Sequence, residues 1–306
     1  MTASSTLSSI SSELAATVER ASPAVVAVNA RTRIAASGIH WREGIVVTAE
    51  HTLKRDEEIT VSFADGRSGS ATLVGRDPGS DLAVLRVADL PEATTPFAAA
   101  DSLKVGHLVL AIARPGEGGP SASLGTVSTI SGPWRTWRGG QIDRLIRLDL
   151  NFYPGFSGGA LVDTAGQIVG LTTAGLSRSA VVAVPVSTIE RTVDQLLATG
   201  RIARGYLGIG MQPVRLPDAL KAQLNLAGNG GVIVVNLEHE GPAERSGVLI
   251  GDVLVAIDGT TIDDTDDVLA LLSPERVGKS VPVQAVRGGQ PVALTITIGE
   301  RPRRGG

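Results

Sequence analysis

A serine in a glycine-rich turn, Pro154-Gly155-Phe156-Ser157-Gly158-Gly159-Ala160, runs directly into the apolar stretch Ala160, Leu161 and Val162. Glycines let the backbone bend sharply and leave N–H groups free to point at one spot. A nucleophilic serine needs that setting, because the oxyanion of a tetrahedral intermediate must be hydrogen-bonded as it forms. Near pH 7 the hydroxyl also needs a base, and the base needs a group to hold it. Of the four histidines, His40, His51, His107 and His239, only His51 closes a strand-like run, Ile45-Val46-Val47-Thr48-Ala49-Glu50-His51. Asp81 opens another apolar run, Leu82-Ala83-Val84-Leu85. A carboxylate there is partly buried and wants a donor, and an imidazole N–H is a suitable one. Taken singly, each residue also has a plainer reading: a flexible turn, a loop histidine, an acid capping a turn.

Short apolar runs broken by Gly, Pro and Asp must position these groups. They predict strands at 25–30, 33–39, 44–48, 58–63, 69–75 and 81–87, and a second set at 107–113, 122–130, 142–149, 159–163, 167–173 and 180–184. Evenly spaced short strands suggest sandwiches or barrels rather than βαβ units. Segment 91–102 links the sets. His51 and Asp81 fall in the first and Ser157 in the second, so a cleft between them would gather all three. Residues 187–198 read as a helix with an Ile189, Val193, Leu196 and Leu197 stripe, Ser187 and Glu190 at capping-box spacing, and Gly200 at its stop. Residues 201–204 form a short linker. Leu7, Ile10, Leu14 and Val18 predict an amphipathic helix within 1–21, and 301–306 form a basic, solvated tail.

Composition narrows the classes. The 306 residues are 42% hydrophobic, enough for a substantial core in more than one domain. A net charge of −3 weighs against a nucleic-acid partner. With no cysteine there is no disulfide and no cysteine metal site, and the scattered histidines do not suggest zinc, so neither metal nor cofactor is expected. No run approaches the length of apolar chain that a membrane span needs. Residues 1–12 lack a basic start and an apolar stretch, so the chain as written is expected in the cytoplasm.

The order His51, Asp81, Ser157 is that of chymotrypsin-type enzymes. Gly44 to His51, Asp65-Gly66-Arg67, Val74 to Leu85 and Pro154 to Gly159 resemble the HtrA/Deg family of trypsin-like serine proteases carrying a PDZ domain. The resemblance runs from about Ser22 to about Gly299. It implies a mostly β protein, with a trypsin-like double six-stranded β-barrel over 22–200 and an α+β PDZ domain over 201–300. It implies His51 as general base, Asp81 as its orienting carboxylate and Ser157 as nucleophile. The backbone N–H groups of Gly155 and Ser157 would form the oxyanion hole. The implied activity is ATP-independent endopeptidase cleavage of unfolded or damaged proteins, in a homotrimer, and the family works mostly outside the cytoplasm.

Gly205-Tyr206-Leu207-Gly208-Ile209, Gly241 to Val248 and Gly251 to Gly259 carry the PDZ resemblance. The N–H groups of Leu207, Gly208 and Ile209 would receive a peptide's C-terminal carboxylate. The peptide would then add as a strand beside a helix near 266–273. A plain strand end with a core tyrosine is the other reading of 205–209.

The chain departs from the family at several points. Phe156 stands where the family usually has Asn, which raises an alternative: an inert protease site on a non-catalytic PDZ peptide-binding or holdase-type protein. By alignment Phe152 lines the primary specificity pocket with Thr173 across from it, an apolar, shallow pocket for small aliphatic residues. Trp134 and Trp137, with Arg135 and Arg138, either read a partner or pack on a barrel. Arg114-Pro115-Gly116 stands where Gly-Asn-Pro is common, and the loop 37–44 is short.

Overall fold

The computed structural model describes residues 6–31, 34–88, 96–116, 118–136, 138–177, 179–203, 205–226 and 228–300. It divides into two compact units, 1–202 and 203–306. Trp137, segment 1–5, part of the 91–102 link, Arg204 and the tail 301–306 lie outside the described residues.

The first unit opens with helix α1 (Thr6–Ala21). Strands β1 (Val25–Asn29), β2 (Ala36–Arg42), β3 (Ile45–Ala49), β4 (Ile59–Ser62), β5 (Ser68–Asp77) and β6 (Leu82–Val87) follow. They close a barrel in the order β1-β2-β3-β6-β5-β4. The next strands are β7 (Leu108–Ala113), β8 (Ser121–Ser131), β9 (Trp134–Arg135), β10 (Gln141–Ile142), β11 (Leu145–Asp149), β12 (Ala160–Val162), β13 (Ile168–Thr173) and β14 (Val181–Pro185). A second closed barrel runs β11-β14-β13-β12-β7-β8, with β9 and β10 as a separate hairpin.

Strand alternation explains why the barrels sit together. On β3, Val46 points into its own barrel beside Val28, Val61 and Leu85. Its neighbours Ile45 and Val47 point the other way, into a cluster that includes Leu110, Ile112, Ala160 and Leu171 of the second barrel. Both faces of β3 are therefore buried, as its unbroken apolar sequence requires. Each such side chain contributes about 1.5–3 kcal/mol on full burial. Helix α2 (Val186–Thr199) lays Ile189, Val193 and Leu196 on the same cluster. It ends where Gly200, at φ 71°, turns its N–H onto the Leu196 carbonyl. Leu14 and Val18 of α1 also pack there, while Leu7 and Ile10 are exposed.

The structure differs from the sequence expectation in places. The strand expected at 142–149 is broken, with β10 ending at Ile142 and β11 starting at Leu145. Helix α2 starts at Val186 with Pro185 as N-cap and no side-chain cap, so the Ser187–Glu190 capping box does not form. Ser187 already lies in the first turn. Trp134 is half-buried against the central core, which selects packing over display for that residue.

The second unit contains β15 (Gly205–Tyr206), β16 (Ile209–Arg215), α3 (Asp218–Leu224), β17 (Gly230–Leu237), α4 (Pro242–Arg245), β18 (Val253–Ile257) and β19 (Thr260–Thr261). Helix α5 (Thr265–Leu271) and strands β20 (Ser280–Arg287), β21 (Gln290–Thr297) and β22 (Gly299–Glu300) complete it. The sheet runs β16-β17-β18-β20-β21, with β19 on β18 and β15 on β22. Asp264 and Asp267 form a capping box that starts α5. Its Val268 joins Leu207, Val232, Leu254 and Ile296 in one core.

Candidate active site

His51 lies in a single 3₁₀ turn, Glu50–Thr52, directly after β3. Asp81 begins the run into β6 with φ 56°, a conformation in which Asp is enriched among non-glycine residues. The turn before it is held by Asp77, whose carboxylate accepts from the Gly79 N–H (3.1 Å), the Ser80 N–H (3.0 Å) and the Ser80 hydroxyl (2.6 Å). From the turn of the β9–β10 hairpin, the buried Thr136 hydroxyl donates to the Gly79 carbonyl at 2.8 Å. Backbone strain at Asp81 is thus fixed by its surroundings, as such strain at functional sites usually is.

The Asp81 carboxylate is wholly buried and well supplied with donors. His51 N–H donates to Oδ1 at 2.9 Å, and His51 Nδ1 lies 2.8 Å from Oδ2 and 3.0 Å from Oδ1. The Thr173 hydroxyl donates to Oδ2. A carboxylate on Nδ1 selects the tautomer that carries its proton there and leaves the Nε2 lone pair free to act as a base. The imidazole is about a third exposed (31%), whereas the Asp81 side chain is 0% exposed, so of the pair only the imidazole meets solvent.

Ser157 sits in the turn before β12 and is 8% exposed. Its hydroxyl oxygen accepts from the Ala174 N–H at 3.4 Å, and among the described residues no hydrogen bond joins it to His51. Catalytic hydrogen bonds commonly tighten only when substrate is bound. The segment Thr173-Ala174-Gly175 runs past all three groups. Thr173 binds Asp81, Ala174 binds Ser157, and a Cβ at Gly175 would lie 2.5 Å from both His51 Nδ1 and Asp81 Oδ2.

The turn around Ser157 is specified by its glycines. Gly155 and Gly158 have φ 93° and 90°. A Cβ at Gly155 would come within 2.6 Å of Pro115, and one at Gly158 would strike the Ser37 carbonyl. The N–H groups of Phe156, Gly158 and Gly159 are bonded to the carbonyls of Tyr153, Thr172 and Phe156. Among the described residues, those of Gly155 and Ser157 have no acceptor. Near-buried N–H groups are rarely left so, and both are open to an acceptor brought by a ligand.

Phe156 is 2% exposed and packs with Ala111, Ala113, Leu150 and Phe152. It meets Phe152 and Tyr153 edge-on, with ring centroids 5.7 and 5.6 Å apart. Its carbonyl accepts from Thr172 Oγ1 (3.2 Å) and the Gly159 N–H (3.0 Å). Apolar packing therefore holds the turn in this chain. Thr173 is fully buried with its hydroxyl on Asp81, so it does not wall a specificity pocket. That expectation is corrected: a side chain with no accessible surface offers none to a substrate. Phe152 is half-buried beside Phe156.

Ser37, on β2, carries no chemical motif in the sequence. It is 0% exposed, and every polar atom it has is used. Its hydroxyl donates to the Gly155 carbonyl at 2.7 Å and accepts from the Arg114 N–H at 2.8 Å. Its N–H donates to the Ser157 carbonyl at 3.2 Å, and its carbonyl accepts from Thr48 Oγ1 at 2.6 Å. One first-barrel residue thus grips the second barrel's turn on both sides of Phe156. Arg114, 5% exposed, donates through Nε to the Val25 carbonyl at 2.9 Å, and burial pushes its guanidinium below its ordinary value. Arg stays charged at neutral pH even so.

In the second unit, β16 is an edge strand, bonded among the described residues only to β17, with α5 beside it. The carbonyls of Leu207 and Gly208 are taken by the N–H groups of Ala243 and Glu238, each at 2.8 Å. Among the described residues, their own N–H groups have no acceptor. Leu207, Ile209, Met211, Val268, Leu271 and Leu272 form the apolar lining between strand and helix.

Comparison with known proteins agrees with this geometry. The trypsin-like peptidase domain family matches residues 36–171, and the PDZ domain family matches 205–298. The solved structure "HtrA-type protease AlgW with tripeptide" superposes with a TM-score of 0.72 at 31% identity, over 94% of this chain and 97% of that one. The chain belongs to the HtrA family. Other HtrA relatives include a "Probable periplasmic serine endoprotease DegP-like" of Brucella suis biovar 1 (strain 1330), 32% identical over 85% of this chain and 51% of that protein. A "Serine protease Do-like HtrA" of Lactobacillus helveticus is 30% identical over 84% of this chain and 65% of that protein. The chain spans about half the length of the first of these curated relatives. The two closed six-stranded barrels and the following PDZ sheet are the architecture expected of the family. No described helix is long and apolar enough to cross a membrane.

Proposed function

We propose that this HtrA-family protein is an ATP-independent serine endopeptidase that acts on unfolded polypeptides. The observation that carries the reading is the buried Asp81 carboxylate on His51 Nδ1, beside a Ser157 turn whose Gly155 and Ser157 N–H groups have no other acceptor among the described residues. Substrate lies extended in the cleft. Ser157 Oγ attacks the scissile carbonyl while His51 Nε2 takes its proton, and the carbonyl oxygen moves onto the two N–H groups. Protonated His51 then gives that proton to the leaving amine, and the C–N bond breaks to leave an ester on Ser157. Water, deprotonated by His51, repeats the addition and frees the acid. Asp81 stays ionised and stabilises the imidazolium.

Phe152, half-buried beside the turn, supports a shallow apolar pocket for small aliphatic side chains before the scissile bond. The PDZ groove tethers substrates or gates the site by taking a peptide C-terminus on Leu207, Gly208 and Ile209. The domain limits proposed are 22–200 and 201–300, and a homotrimer and an extracytoplasmic location follow the family. Cleavage of reduced casein tests the activity. It should be complete with the unaltered chain and absent with Ser157→Ala, and equal cleavage by both would refute the assignment.

A further inference from the structure

The edge that a PDZ ligand would extend is interrupted. Antiparallel strands bond to each partner through alternate residues. The alternation on β17 can be read from Val234, whose N–H donates to the Asp252 carbonyl and whose carbonyl accepts from the Gly251 N–H, both at 2.8 Å. Val234 thus faces away from β16, and so does Val232, two residues on, which pairs with Leu254. Their partners across the ladder, Met211 and Pro213, consequently turn their backbone groups outward, to the free edge. The ladder shifts register between Gly210 and Met211, with the extra residue on β17, but Gly208 turns its carbonyl to the Glu238 N–H of that side, so its neighbour Ile209 also faces the free edge. The outward positions of β16 are therefore Ile209, Met211 and Pro213, in that order from the carboxylate-binding end.

Proline has no N–H, and its ring carbon occupies the space where one would point. It is tolerated on a sheet only where that side is unpaired, and Pro213 is exposed there. A peptide whose carboxylate sits on Leu207–Ile209 would set its last residue opposite Ile209, its third from last opposite Met211, and its fifth from last opposite Pro213. At that third rung the protein offers a carbonyl but no donor, and a methylene meets the added strand.

We propose that Pro213 ends strand addition in the PDZ groove, so that the site selects by about the last four residues of an apolar C-terminus and gains little from a longer ligand. This rests on the reading of 207–209 as a carboxylate site. The apolar lining of Leu207, Ile209, Val268 and Leu271 sets the terminal preference. Main-chain bonds beyond Met211 are withheld, so side-chain fit close to the terminus decides between ligands.

The test uses the full chain carrying Ser157→Ala, to prevent cleavage, and labelled peptides of three, five and ten residues ending in valine with alanine elsewhere. Fluorescence anisotropy should give dissociation constants within about threefold for all three lengths. Pro213→Ala and Pro213→Val, each with an unchanged unfolding midpoint, restore one main-chain donor. They should tighten the five- and ten-residue peptides by roughly 3- to 10-fold and leave the three-residue peptide unchanged. A ten-residue peptide already favoured tenfold or more by the unaltered groove would overturn the proposal, as would variants that gain nothing with length. Peptides that bind equally well with an amidated C-terminus would instead overturn the carboxylate reading itself.

Discussion

Replacing Phe156 by the asparagine usual in the family should damage this chain. The ring is 2% exposed among Ala111, Ala113, Leu150 and Phe152 and meets the rings of Phe152 and Tyr153 edge-on. Removing a buried aromatic side chain costs about 3–5 kcal/mol. An amide left in that apolar pocket without a partner adds about 1–3 kcal/mol. Even with partial collapse, the loss should reach about 4 kcal/mol, a large share of the 5–15 kcal/mol typical of a folded domain. Because Phe156 sits between the two free N–H groups, the damage should extend to rate, by about 10²–10³ if one oxyanion donor is misplaced. Urea unfolding in a Ser157→Ala background reads the stability, and casein cleavage by Phe156→Asn alone reads the rate. Phe156→Leu, which keeps the pocket filled, should lose much less of both. A Phe156→Asn protein as stable as its parent and more active would show that a hydrogen-bonded side chain, not apolar packing, is what this turn lacks.

Three further outcomes follow from named contacts. Gly175→Ala puts a methyl 2.5 Å from His51 Nδ1 and Asp81 Oδ2, so kcat should fall at least 100-fold while the unfolding midpoint moves far less. Ser37→Ala leaves the Arg114 N–H and the Gly155 carbonyl unpaired. It should cost about 1–3 kcal/mol and lower kcat more than it raises KM. In the second unit, Asp252 is 1% exposed and bonded to Arg287 at 2.7 Å, chiefly through which its carboxyl is held below its ordinary 3.8. Between that lowered value and 3.8 the unfolded chain binds more protons. The pair's stabilisation is therefore present above about pH 4 and lost as pH falls through the folded value. Arg287→Ala should destabilise this unit at neutral pH and flatten that acid dependence in calorimetry.

The barrels and the order His51, Asp81, Ser157 are legible in the sequence because each rests on local pattern. Short apolar runs mark strands, and His51 and Asp81 stand at the ends of two of them. What sequence could not show was which hydroxyl crosses between barrels. Ser37 is 118 residues from Gly155, and nothing in a lone serine on an apolar strand marks the contact. In sequence, Thr173 reads as lying across a pocket from Phe152. Its bond to Asp81, 92 residues away, exists only once the barrels close. Phe156 looked like the loss of a polar support because alignment compares positions one at a time. The compensating partners, Ala111, Ala113 and Phe152, come from β7 and the preceding loop. The Ser187–Glu190 spacing failed as a cap because Pro185, with fixed φ, starts the helix one residue early.

The proposed mechanism makes Ser157 the nucleophile and His51 the group that activates it. Mass spectrometry after reaction with a serine-directed fluorophosphonate tests it most directly. One adduct is expected, on the peptide containing Ser157, absent in Ser157→Ala and slowed at least 100-fold in His51→Ala. An unmodified Ser157 in folded protein, or the same labelling rate without His51, would contradict it.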